Sequence, residues 1–169
     1  MTIAVGSYDD LIARKQVAFA PRGFDDADFD LNPALFPHQR ACTEFALRAG
    51  CAAMFLDTGL GKSFAALEWG RVVVEKTGKP VLMLAPLAVG PQHEHEAKRF
   101  GIDAIYVRDG SDTDAPRIYI TNYERIDNFM ASKFAGVILD ESSILKSFSG
   151  ITTRKLIDTF KSTPYSLCC

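Results

Sequence analysis

The chain has 169 residues, 47% apolar and 24% charged, with a formal net charge of −2. That size and mixture suit one globular domain with a real core, and they exclude a disordered chain or a uniformly basic molecule, although a groove can still be locally basic. No apolar run is long enough to cross a bilayer and the N-terminus lacks the basic start and apolar stretch of a signal peptide, so a cytoplasmic protein with no membrane partner is expected.

Residues 1–35 read as a lead-in. A short helical pattern at Tyr8, Leu11, Ile12 and Lys15 gives way to PRGFDDADFDLNP, whose Asp, Pro and Gly content marks an exposed irregular connection. From Phe36 onward, helical stretches at 37–49, 62–77, 91–99, 122–130 and 150–161 alternate with candidate strands. The strands are CAAMFL (51–56), VLMLA (81–85), AIYV (104–107), RIYIT (117–121), GVILD (136–140) and YSLCC (165–169). Most are unbroken apolar runs, the pattern of strands covered on both faces. The alternation predicts an α/β domain over 36–169, with a mainly parallel sheet and helices on both sides. The last strand reaches Cys169 with no turn after it, so the domain reads as cut short there. Cys42, Cys51, Cys168 and Cys169 show no CxxC spacing and mostly lie in apolar runs, as buried thiols in a reducing compartment do.

Between the first strand and the helix opening at Lys62 lies LDTGLGKS (56–63). Gly59 and Gly61 let backbone N–H groups turn inward around phosphate oxygens, and the helix N-terminus adds partial positive charge. Lys62 would reach the β- and γ-phosphates and the Ser63 hydroxyl would ligate Mg²⁺. A full phosphate-loop pattern has glycine where this chain has Leu56. GKS alone is common by chance; GxGKS in a strand-to-helix turn with an acidic partner downstream is not. That partner is Asp140-Glu141, at the end of GVILD. Asp140 would sit beside the Mg²⁺ and Glu141 would position or deprotonate an attacking water. This reading puts Lys62 and Asp140 at adjacent strand tips. Alone, the acidic pair reads better as a solvated turn; the phosphate loop upstream reverses that.

Taken in order, FPHQR (36–40), DTGLGKS (57–63), VLMLAPLAVGPQHEHEAKRFG (81–101), ITNYERID (120–127) and VILDESSILKSFS (137–149) resemble the first RecA-like lobe of superfamily 2 helicases and translocases. The branch most similar is the Swi/Snf type found in phages and bacteria, and the resemblance covers about residues 35–169. It implies a RecA-like P-loop NTPase fold that tolerates Leu56. Gln39 would recognise adenine, and Thr58, Gly59, Leu60, Gly61, Lys62 and Ser63 would cradle ATP. Ser63 and Asp140 would hold Mg²⁺, with Lys62, Asp140 and Glu141 carrying catalysis. It further implies contacts from Pro86, Leu87, Thr121 and Asn122 to nucleic-acid phosphates, with Lys146 as another, and DNA as the expected partner. The family's second lobe, which brings an arginine finger, would have to follow Cys169. Ser142 and Ser143 stand where the family has Ala-His or Gly-His, so the histidine that helps couple the nucleotide to the next motif is missing from that position. A non-catalytic module that binds a nucleotide or a partner is the other reading.

Further constellations carry less. His93-Glu94-His95-Glu96 invites a metal, but residues two apart face opposite sides of a helix, and Glu94 with Lys98 forms an i,i+4 pair on a solvated face. No G-x-S-x-G elbow makes a hydrolase serine of Ser63, Ser142 or Ser143. Tyr119, Tyr123 and Phe129 could stack on bases, but their spacing suits a core. Phe64, Leu67, Trp69 and Val74 read as the packing face of their helix.

Overall fold

The computed structural model describes residues 21–142 and 150–169. The helical pattern at Tyr8–Lys15, Ser143 and Lys146 lie outside them. The described chain forms four α-helices: α1 (Pro37–Ala49), α2 (Lys62–Thr77), α3 (Gly90–Arg99) and α4 (Ile151–Phe160). The strands are β1 (Cys51–Ala53), β2 (Val81–Ala85), β3 (Ala104–Tyr106), β4 (Ile118–Asn122), β5 (Gly136–Leu139) and β6 (Tyr165–Cys168). They make one sheet in the order β1-β6-β5-β2-β4-β3, with every pairing parallel.

The strands best covered are the ones whose sequences are unbroken apolar runs. All five residues of β2 and of β4 are buried, while the edge strands β1 and β3 have only three residues each. Side chains alternate between two cores, as the pleat requires. Val81 and Met83 join Trp69, Leu67, Phe64, Ile118 and Ile138 on the α2 face. Leu82 and Leu84 join Tyr119, Tyr123, Phe134 and Leu156 on the other. Gly70 lets α2 lie close on the sheet, since a Cβ there would come 2.9 Å from Ile118. Helices therefore cover both faces of a parallel sheet.

The stretch 122–130 is not an α-helix. β4 runs through Asn122, and Tyr123–Asn128 is a 3₁₀ helix, followed by another at Ala131–Lys133. Tyr123, Ile126 and Phe129 are all buried and fall three residues apart, which is the period of the tighter helix and lines them up on one core.

The lead-in is irregular but less exposed than its composition suggests. Phe29, Leu31 and Leu35 are buried in the main core, and Phe24 stacks on Tyr165 with centroids 4.7 Å apart. Fully buried Glu68 accepts the Asn32 N–H at 2.7 Å and pairs with Arg71 at 2.8 Å, which also holds the Asp30 carbonyl. A buried carboxylate is tolerable only with such partners.

The strand order also differs from the sequence reading. β1 and β5 are not neighbours; β6 lies between them. The segments carrying Lys62 and Asp140 leave the same C-terminal edge of the sheet, separated by the width of β6.

Candidate nucleotide site

The loop after β1 is exposed from Asp57 to Leu60 and half-buried from Gly61 to Ser63. Gly59 and Gly61 have φ of +86° and +71°, conformations that strain any residue with a Cβ. Gly61 caps α2, so the backbone reverses immediately ahead of the helix N-terminus. Gln39 fastens this loop from α1. Its amide nitrogen donates to the Leu60 carbonyl at 2.9 Å and the Gly61 carbonyl at 3.2 Å, and its oxygen accepts the Phe36 N–H at 2.9 Å. A Cβ at position 61 would fall 2.1 Å from that amide nitrogen. In this structure Gln39 is therefore buried against the loop.

Asp140 follows β5 and continues its ladder, with its N–H donating to the Leu84 carbonyl at 2.9 Å. It is buried and gripped at both ends. Its Oδ2 lies 2.8 Å from His93 Nε2, and its carbonyl accepts the Tyr123 hydroxyl at 2.6 Å. A carboxylate oxygen can only accept, so the imidazole N–H is the donor. Burial first, and then the Asp140 charge, hold the Tyr123 hydroxyl far above its ordinary value. Glu96, one turn beyond His93, is raised by burial; His93 and Arg99 pull it back and Asp140 pushes with the burial.

Glu141 is exposed with φ +52°, in the left-handed region that costs a side-chain-bearing residue about 1 kcal/mol or more. Ser142 N–H donates to the Cys169 carbonyl at 2.6 Å, so the acidic turn is pinned to the end of β6. Cys169 stands between the two halves of the site. Burial pushes its thiol up to about 12, the Asp140 charge and then Cys168 add to the rise, and Lys62 opposes it. A cavity of about 640 Å³ opens here, lined among others by Asp57, Lys62, Glu141, Ser142 and Cys169.

The chemistry of the donors suits one kind of metal. Among the described residues no group of three or more His, Cys, Asp or Glu could hold an ion alone. A carboxylate and a hydroxyl are hard oxygen donors. They fit Mg²⁺ that arrives with phosphates and keeps its waters, not a cation held in an all-protein cage.

The residues assigned to nucleic acid divide by burial. Pro86 is half-buried and Leu87 exposed, and both line a cavity of about 330 Å³ with Tyr123, Glu124, Ile126, Lys155 and Leu156. Thr121 and Asn122 are almost wholly buried, so their side chains face the interior and not a surface ligand.

His93 and Tyr123 were not singled out as site residues from the sequence. For His93 a signal existed: Gly90, His93 and Ala97 are the buried face of α3, and a histidine on such a stripe needs a partner. Glu94 and Lys98 pair at 2.9 Å on the solvated side, and His95 is exposed.

No family model and no curated protein matches the sequence. Solved structures do match the fold. The UvsW helicase from bacteriophage T4 superposes with a TM-score of 0.65 at 16% identity, over 79% of this chain and 51% of that one. The Sulfolobus solfataricus SWI2/SNF2 ATPase core in complex with dsDNA gives 0.65 at 17% identity, over 83% and 32%. The same organism's SWI2/SNF2 ATPase core domain gives 0.66 at 18%, over 88% and 35%. The chain thus spans about half the length of the phage protein and about a third of the archaeal ones. No helix among the described residues is long and apolar enough to cross a membrane. The likeness to these proteins is one of fold: the described chain shares the RecA-like architecture of the parts it matches.

Proposed function

We propose that this chain is the ATP-binding lobe of an ATP-dependent DNA helicase or translocase, with residues 36–169 as the lobe and 1–35 as its lead-in. The observation that carries the reading is the shared edge. Lys62 and Glu141 line one cavity at the C-terminal ends of parallel strands, the edge at which α/β sheets bind ligands, and Asp140 lies buried one residue before Glu141.

Thr58, Gly59, Leu60 and Gly61 would wrap the phosphates with backbone N–H groups, and Lys62 would meet the β- and γ-phosphates as a point charge. Ser63 and Asp140 would hold Mg²⁺, which supplies charge neutralisation across the phosphates when bound. Glu141, exposed at the mouth of the cavity, would orient water toward the γ-phosphate. Gln39 would report on the loop from beneath it and, on binding, trade the Leu60 and Gly61 carbonyls for the adenine edge. Pro86 and Leu87 would face the DNA backbone, which Thr121 and Asn122 would support from inside. Contacts of that kind are sequence-independent and salt-sensitive. Lys146 belongs to the same proposal.

A second lobe would complete the machine, and its arginine contributes about 10³–10⁵ in rate in comparable phosphoryl transfers. The isolated chain is therefore expected to bind MgATP weakly and to turn it over little. The experiment is ATP binding and hydrolysis, with and without duplex DNA, for wild type and Lys62→Ala. Binding that Lys62→Ala removes supports the reading. Equal binding by both proteins sinks it, and binding without any effect of DNA, even with a second lobe supplied, would favour a non-catalytic module.

A further inference from the structure

We infer that His93 is a positioning residue for the metal-binding carboxylate: it fixes Asp140 so that its other oxygen faces the site of Mg²⁺. The inference rests on the nucleotide-site reading above and adds a residue to it from a separate segment of the chain.

The geometry has several parts. Asp140 stands one residue beyond β5, where a lone aspartate could rotate among rotamers. His93 Nε2 takes Oδ2 at 2.8 Å, and among the described residues Oδ1 has no hydrogen-bond or ion-pair partner. Both side chains are enclosed, at 2% exposed for His93 and 7% for Asp140, so water competes little for the bond. The ring is held by its helix. α3 seats so closely on β3 that a Cβ at Gly90 would lie 2.4 Å from the Tyr106 ring, which brings the next turn, with His93, down toward the strand ends. The backbone of Asp140 is separately fixed by Tyr123 and Leu84, leaving the carboxylate torsion as the remaining freedom. His93 removes it.

A pairing that served only to satisfy a buried carboxylate would have the same distances, but it would not single out the metal. Hydrogen-bonded outer partners of metal ligands are worth roughly 10–100-fold in metal affinity. The discriminating readout is therefore the Mg²⁺ dependence of nucleotide binding, not turnover.

The test titrates Mg²⁺ into the full chain with a fluorescent ATP analogue, for wild type, His93→Leu and His93→Gln. Gln carries an amide donor close to the place of Nε2; Leu fills space without one. We expect His93→Leu to raise the half-saturating Mg²⁺ concentration by about 10–100-fold, with metal-free nucleotide binding within about twofold of wild type and His93→Gln within about threefold on both measures. An unchanged Mg²⁺ curve in His93→Leu overturns the inference, and so does a parallel loss of metal-free and metal-dependent binding. If His93→Leu does not fold, His93→Asn replaces it. Its shorter amide must shift the Mg²⁺ curve while His93→Gln does not, and identical curves refute the role. Wild-type chain that binds no nucleotide at all refutes instead the functional reading beneath it.

Discussion

The loop at 57–61 and the acidic strand end at Asp140 share one edge of the sheet, yet they are held by different means. The loop is mostly exposed and takes its shape from two left-handed glycines and from Gln39 and His38, pressed against its carbonyls. Asp140 is buried and takes its orientation from His93, 47 residues earlier, and from Tyr123, 17 residues earlier. A phosphate cradle built from backbone N–H groups can stay open to solvent until the ligand fills it. A carboxylate that must point one oxygen at a metal needs fixed partners, and those have to come from packed elements. The first region is therefore expected to respond to mutation mainly in binding, and the second in stability as well.

The largest contrast should come from Asp140→Ala against Lys62→Ala. Removing Asp140 strands the buried His93, at a cost of about 3 kcal/mol, or about 6–12 °C in Tm for a chain of this size. Removing half-buried Lys62 should cost folding no more than about 0.5 kcal/mol while abolishing nucleotide binding. Thermal unfolding and nucleotide titration of the two variants decide; equal stabilities would erase the distinction between the regions. Gln39→Ala comes next. It frees the Gly61 carbonyl and the Phe36 N–H and leaves the Leu60 carbonyl to His38, for about 1–2 kcal/mol, and should speed amide hydrogen exchange at residues 60–65 while leaving β5 protected. Exchange that rises equally at β5 would mean that the two regions open together.

Smaller effects sharpen the same comparison. Tyr123→Phe leaves the Asp140 carbonyl without its hydroxyl donor and should lower stability by about 1 kcal/mol in a denaturant titration. Cys169 lies between the regions and gives a pH signature. Its thiol is raised in the fold from 9.0 to about 12, so above pH 9 the unfolded chain loses that proton first. The folded state then binds more protons than the unfolded one, and stability falls as pH rises from 9 toward 12. Cys169→Ser should remove about 1 kcal/mol of that loss at pH 10, read as the difference in unfolding free energy between pH 8 and pH 10.

Much of this architecture was legible in the residues, and the exceptions share a cause. β2 (VLMLA) is an apolar run between Pro80 and Pro86 and β5 (GVIL) is one ended by Asp140, so local composition marks them, and Gly59, Gly61, Lys62 and Ser63 announce their turn through spacing alone. The 3₁₀ helix at Tyr123–Asn128 was misread because its apolar residues, three apart, fit a looser helix nearly as well; packing against Leu82 and Leu84 chose the tighter one. The order of strands was also hidden. No local pattern says that β6 inserts between β1 and β5, so the sequence alone makes neighbours of tips that Cys168 and Cys169 separate. His93 was hidden for the same reason. Its partner is remote in sequence, and only the fold of α3 over the sheet brings the two together.

The claim on which the rest stands is that Lys62-Ser63 and Asp140 converge on one metal-triphosphate. Paramagnetic Mn²⁺ added with ATP to isotope-labelled chain tests it most directly, because the ion broadens amide NMR signals near it and spares remote ones. Selective broadening is expected at Gly61–Ser63 and at Asp140–Glu141 together, dependent on ATP, with Gly78 and Gly101 untouched. Broadening at the loop that leaves Asp140 and Glu141 sharp, or broadening that does not need ATP, would contradict it.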